Sequence, residues 1–169
     1  MKAFTGVSRL VLLGFFGSHI IFTLCLDCQA VLPESLFPQA LIDLGKYEVE
    51  TFNDPLMGNA RNLLWFQSMV CLELLFQLPY FFAALYYIGD ASATSYPDGF
   101  RAACIAYGAH TSTTLIPILS TFWAADYNGT TQERVSLTAM YFPYLAIPAW
   151  LLWTAATDSS GAKTGQKSD

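Results

Sequence analysis

LLWFQSMVCLELLFQLPYFFAALYYI, Leu63 to Ile88, decides how the rest of the chain is read. Its one charged residue is Glu73. At about 1.5 Å per helical residue, the stretch is long enough to cross the roughly 30 Å hydrocarbon core of a bilayer. Gln77 follows Glu73 by one helical turn, so both side chains lie on one face. Pro79 then removes a backbone hydrogen bond from the helix. A carboxyl group at membrane depth is costly and faces a bundle interior or a wet cavity. The stretch therefore needs partner helices that shield Glu73.

The composition supplies them. Of 169 residues, 54% are hydrophobic and 12% are charged, about half the charge of an ordinary soluble domain. Leu10–Leu26, LVLLGFFGSHIIFTLCL, reads as a first span. It runs through His19 to Asp27 without a small-residue cleavage site, and so differs from a cleaved signal peptide. Phe100–Ala125 reads as a third span, with the polar run His110-Thr-Ser-Thr-Thr114 followed by Pro117. Val135–Ala156 reads as a fourth, with Pro143, Pro148, Tyr141, Tyr144, Trp150 and Trp153. The expected fold is an all-α integral membrane protein, a four-helix transmembrane bundle with proline-kinked helices and an internal pocket. Residues 1–9 form an N-terminal segment, 10–157 the membrane domain, and 158–169 a disordered polar tail.

The connections are unequal. Residues 34–62 form the longest loop, with Glu34, Asp43, Glu48, Glu50 and Asp54 among irregularly spaced apolar residues. Leu41–Phe52 is expected as a short amphipathic helix lying on or folding into the bundle, and Asn53-Asp54-Pro55 as a turn. Asn128-Gly-Thr130 matches a glycosylation acceptor close to the membrane. Lys2, Arg9, Arg101, Lys163 and Lys167 outnumber Lys46, Arg61 and Arg134 across the membrane, which favours both termini on the cytosolic side.

Each interior proline frees a carbonyl that lipid cannot satisfy. Thr111, Thr113 and Thr114 are placed to serve the one opposite Pro117. Asp27 at the end of the first span and Asp54 before the second are expected near one membrane face, with Glu73 deeper. Carboxyls buried close together do not all ionise, and the remaining charge attracts a cation. Tyr141 and Tyr144 offer it aromatic faces. His19, two turns before Asp27, pairs with Glu73 as an acid–base couple or stands as a neutral hydrogen-bonder. Cys25, Cys28, Cys71 and Cys104 fall in apolar segments and read as small buried hydrophobes rather than a disulfide framework. There is no metal-ligand spacing, phosphate loop or GxSxG elbow, and no cofactor is expected. A net charge of −5 without a basic stripe disfavours nucleic acid as a partner, and none is expected.

Several runs resemble one membrane-protein family. They are Ser18-His-Ile-Ile-Phe-Thr23, Asp27-Cys-Gln-Ala-Val-Leu-Pro33, Phe52-Asn-Asp-Pro-Leu56, Cys71-Leu-Glu-Leu-Leu-Phe-Gln-Leu-Pro79, His110-Thr-Ser-Thr-Thr-Leu-Ile-Pro-Ile-Leu-Ser-Thr-Phe122 and Tyr141-Phe-Pro-Tyr-Leu-Ala-Ile-Pro148. In order and content they are similar to the sigma-2 receptor (transmembrane protein 97) family of EXPERA domains. The resemblance implies a four-span bundle of the endoplasmic reticulum membrane, with a pocket for sterols and hydrophobic amines. It implies that Asp27 meets the ligand ammonium and that Asp54 hydrogen-bonds to Asp27. Glu73 and Gln77 become the inner polar pair, and His19, Thr114, Tyr141 and Tyr144 pocket positions. It also implies a role in cholesterol homeostasis, partners in sterol trafficking and a homodimer. In place of the family's lysine-rich tail this chain has Lys163 and Lys167, and the loop between the second and third spans also differs. The sister branch, the emopamil-binding sterol isomerase, makes an isomerase using buried carboxylates and a histidine the alternative function.

Overall fold

A computed structural model describes residues 1–158 of the chain. Except for Asp158, the tail expected to be disordered lies outside the described residues. Six α-helices are present among them, rather than four, and no strand. They are α1 (Gly6–Cys25), α2 (Gln39–Phe52), α3 (Leu64–Leu72), α4 (Leu78–Gly89), α5 (Asp98–Thr121) and α6 (Thr131–Thr157).

The two extra helices have separate origins. The loop helix expected over 41–52 forms as α2 and ends at Asn53, whose φ of 54° is left-handed. The second span is divided where Glu73–Gln77 adopt a π turn between α3 and α4. In that wider turn the Leu78 amide donates to the Glu73 carbonyl, five residues back. Pro79 follows immediately, at the start of α4. A wide turn just before a proline adapts the backbone where the regular ladder loses a donor, and such turns recur at functional sites.

By length and hydropathy, three helical segments suit a membrane span: Gly6–Ala30, Leu64–Gly89 and Thr131–Thr157. The chain is thus an all-helical membrane protein. The expected third span, α5, has 24 residues, about 36 Å of helix. Its run of polar residues from His110 to Thr114 lowers its mean hydropathy below the other three. α5 and α6 run on through Pro117, Pro143 and Pro148. The threonines expected to serve the carbonyl freed at Pro117 bond elsewhere. Thr113 donates to the Ala109 carbonyl at 2.8 Å, Thr114 to that of Thr111 at 3.0 Å, and Thr111 to Gln77.

α5 and α6 form the most intimate helix pair. A Cβ on Gly108 of α5 would stand 2.7 Å from Leu152 Cβ and 2.7 Å from the Pro148 carbonyl oxygen. Glycine is therefore what lets the two backbones approach. Around this pair the interior divides into two apolar clusters. One joins Leu12, Phe16, Phe81, Ala84 and Tyr107; the other joins Leu56, Phe66, Val70, Leu115, Phe122 and Leu137. Tyr144 packs against both. Of the cysteines, Cys28 and Cys104 are buried as expected, whereas Cys25 is half-buried and Cys71 is exposed, and all four are free thiols.

Arginine side chains tie the helix ends together. Arg9 of α1 donates to the carbonyls of Ile88 and Gly89 at the end of α4. Arg101 of α5 donates to Ala155 and Ala156 at the end of α6. Arg134 of α6 donates to Phe122 and Ala124 just past α5, and to Tyr127 and Gly129. Arg61 reaches Gln29 and Leu32 beyond α1. A cation there meets unpaired carbonyls and the negative end of the helix dipole. Thr130 and Glu133 complete a capping box at the start of α6. At the other end of the bundle, the Met1 ammonium donates to the Tyr96 carbonyl and the Lys2 amide to Asp158. The start of α1 and the end of α6 therefore lie at the same end of the molecule.

Candidate functional site

A cavity of about 430 Å³ opens among α1, α2, the α3–α4 rod, α5 and α6. Each element contributes for a local reason. α1 brings His19 on its buried face and Asp27 just past its end, where the helix tightens into a 3-10 turn. The π turn brings Glu73 and Gln77 to the same wall. α5 contributes Thr111 and Thr114, and α6 contributes Tyr141 and Tyr144. The remaining walls are largely apolar, with Phe22, Phe66, Met69, Val70, Leu115, Ile118 and Met140. Among the described residues, no lysine or arginine lines the cavity.

At the deep end, His19 Nε2 lies 3.4 Å from Glu73 Oε1. Thr23 donates to the same carboxylate oxygen at 2.5 Å. The His19 ring stacks on Phe81 at 4.3 Å and meets the edge of Tyr144 at 4.6 Å. Its Nδ1 has no hydrogen-bond partner among the described residues, although the residue is only 6% exposed. Thr111 donates to Gln77 Oε1 at 3.0 Å, which fixes the amide against α5.

The two aspartates differ. Asp27 lines the cavity, half-buried, and has no hydrogen-bond donor and no basic partner among the described residues. Asp54 is 2% exposed and does not line the cavity. Its Oδ1 accepts the amides of Leu56 at 2.7 Å and Met57 at 3.1 Å, and its Oδ2 accepts the Tyr141 hydroxyl at 2.7 Å. The hydrogen bond expected between Asp54 and Asp27 is absent among the described residues. Asp54 instead spends its acceptors on its own turn and on Tyr141, and so braces a wall of the cavity from behind. Burial raises the Asp54 carboxyl above its ordinary range, opposed by the Tyr141 hydroxyl and the two amides.

Of the eight residues singled out in the sequence, His19, Asp27, Glu73, Gln77, Thr114, Tyr141 and Tyr144 surround one cavity, and Asp54 supports it from outside. Sequence reasoning missed the contribution of α2. Leu44, Tyr47, Glu48 and Phe52 from this helix close one side of the cavity. Burial pushes Glu48 up to about 7, with the nearby Asp54 charge adding to the effect. The signal was present in the amphipathic run and its acidic residues, but which acid faces inward depends on how α2 docks. Chemically the cavity has apolar walls, an unpaired carboxylate near its opening and a histidine–carboxylate pair at its base. It is suited to hold a hydrophobic molecule that carries a positive charge.

Comparison with known proteins agrees with this architecture. Sigma intracellular receptor 2 of Homo sapiens is 42% identical over 148 residues, covering 82% of this chain and 81% of the human protein. The protein of the same name from Xenopus tropicalis is 38% identical over 147 residues, covering 83% of this chain and 82% of its own length. That of Macaca fascicularis is 42% identical over 148 residues. Residues 44–155, which carry α3 to α6 and most of the cavity wall, match the model of the EXPERA (EXPanded EBP superfamily) family. With that match and relatives this similar over most of its length, the chain belongs to the EXPERA family.

Proposed function

We propose that this protein is a non-enzymatic intramembrane receptor for sterols and hydrophobic cationic amines, acting in sterol homeostasis and trafficking. The observation that carries the reading is Asp27: a carboxylate with no partner among the described residues, on the wall of an otherwise largely apolar cavity. A ligand ammonium supplies the missing charge, and Tyr141 and Tyr144 offer ring faces to it. The similarity to proteins named as receptors favours binding over turnover. Residence in the endoplasmic reticulum as a multi-pass protein with both termini cytosolic belongs to the same proposal, as do a membrane partner in sterol trafficking and a homodimer. The contacts of Met1 with Tyr96 and of Lys2 with Asp158, which bring the start of α1 beside the end of α6, support an even number of crossings between them.

The test is binding of a tritiated hydrophobic amine to purified protein, wild type against Asp27→Asn. The reading requires loss of binding in the variant while its thermal midpoint stays near that of the wild type. Unchanged affinity in a folded Asp27→Asn protein overturns it.

One observation favours a second reading. His19 and Glu73 form a close pair at the cavity base, and proton removal at one carbon with return at another is all that shifting a sterol double bond requires. Turnover of a ring-unsaturated sterol above background, lost in Glu73→Gln, replaces the receptor reading with an isomerase.

A further inference from the structure

The cavity contains an acid that the amine-binding reading leaves unused. Glu48 projects from α2 into the lining, and no hydrogen-bond donor or basic side chain pairs with it among the described residues. Its neighbours on the helix do not neutralise it, because Lys46 and Glu50 line a separate surface pocket with Glu34 and Arg61. Across the cavity, Asp27 at the end of α1, Asp54 behind the wall and Tyr141 on α6 interact electrostatically with it. His19 and Glu73 lie at the base. Among the described residues, no group with a permanent positive charge faces Glu48 from the cavity lining.

Two unpaired carboxyls on a largely apolar cavity do not by themselves define a site. A second feature points to a ligand: His19 has an unpartnered Nδ1, a side chain only 8% exposed, and a place in the same wall. A buried polar atom of this kind is ordinarily satisfied, and the residue that carries it lines the cavity.

From this arrangement, and resting on the amine-binding reading above, we infer that Glu48 and Asp27 together select amphiphiles carrying two positively charged nitrogens over those carrying one. Asp27 holds the first ammonium. Glu48, on the helix that closes the opening, meets the second. The apolar part of the ligand lies along Phe66, Val70 and Leu115. The selectivity also depends on pH. Glu48 ionises near 7, so its hold on a second ammonium is present at pH 8 and fades by pH 6.

The experiment compares dodecylamine with its aminopropyl derivative, N-dodecyl propanediamine, on protein in nanodiscs of uncharged lipid. Each displaces a labelled hydrophobic monoamine, and the readout is the ratio of their affinities. In the wild type at pH 8 the diamine is expected to bind about tenfold more tightly, the effect of one added charge pair. In Glu48→Gln the ratio falls to within about twofold. The wild-type ratio also falls at pH 6. In Glu50→Gln, which removes a charge from the same helix outside the cavity, the ratio stays at its wild-type value.

A wild-type ratio near one, an unchanged ratio in Glu48→Gln, or an equal fall in Glu50→Gln each overturns the inference and leaves the receptor reading standing. Equal loss of both amines in Glu48→Gln assigns Glu48 a structural role and overturns it too. Failure of the wild type to bind either amine removes the receptor reading and the inference with it.

Discussion

Tyr141 of α6 donates a 2.7 Å hydrogen bond to Asp54, 87 residues earlier in the chain, and so pins the turn after α2 to the last membrane helix. Tyr141→Phe leaves a buried carboxylate oxygen without its donor, at a cost of about 1–3 kcal/mol. The sign of the pH dependence follows from ionisation. Burial already raises Asp54, and the tyrosine opposes that rise by favouring the ionised form. Without it the native state holds the Asp54 proton to higher pH, so stability falls further as pH increases. Thermal melts of Tyr141→Phe are expected to show a larger loss at pH 8 than at pH 5. An equal loss at both points to packing alone.

Glu48 gives a second pH-dependent expectation. Its folded value is about 7, above the ordinary carboxylate range. From the unfolded value up to about 7, the native state binds more protons than the unfolded chain. Stability from this group is therefore lost as pH rises through that window. Glu48→Gln removes the dependence. It is expected to raise the melting temperature by roughly 2 °C at pH 8, with the effect discounted for partial exposure, and to leave it unchanged at pH 5. A destabilised variant at pH 8 reveals an unseen cationic partner.

Gly108→Ala tests the approach of α5 to α6. The added methyl meets the Pro148 carbonyl and Leu152 at 2.7 Å, and neither helix backbone yields cheaply. A loss of about 1–3 kcal/mol is expected. Because this contact lies away from the Asp27 end of the cavity, ligand affinity in the folded fraction stays near that of the wild type. Loss of affinity without loss of stability contradicts that separation.

At the base of the cavity, Thr23→Val keeps shape and removes the hydroxyl that donates to Glu73. Glu73 then relies on His19 alone. A stability loss of about 1–3 kcal/mol is expected. Thr23→Ser, which retains the donor, is expected to recover most of it. Equal loss in both variants assigns the effect to the missing methyl instead.

Much of this was legible because membrane depth makes polar residues conspicuous. Asp27, Glu73 and Gln77 stood out against apolar runs, and each lies on the cavity. The position of Asp54 was harder to read. An Asn-Asp-Pro-Leu stretch announces a turn, and the same carboxylate that reads as a ligand group is consumed by the amides of that turn. The π turn at Glu73–Gln77 has no mark in the residue pattern, since a proline at 79 equally permits a kink. The inward face of α2 was hidden for another reason. Its apolar residues do not repeat at one strict spacing, so docking against the other helices decides which acid faces the cavity.

The arginines that bind neighbouring helix ends also order assembly in time. Arg134 and Arg61 reach carbonyls 12 and 29 residues behind them, already synthesised when the arginine emerges. Arg9 must wait for a carbonyl 79 residues ahead, and Arg101 for one 54 residues ahead. The end of the bundle joined by Arg61 and Arg134 is therefore secured as the chain is made, while at the end near Met1 the contact of Arg9 waits for α4 and that of Arg101 waits for α6. A nascent chain stalled before Ala155 can already make the contacts of Arg61, Arg134 and Arg9, and lacks the one made by Arg101.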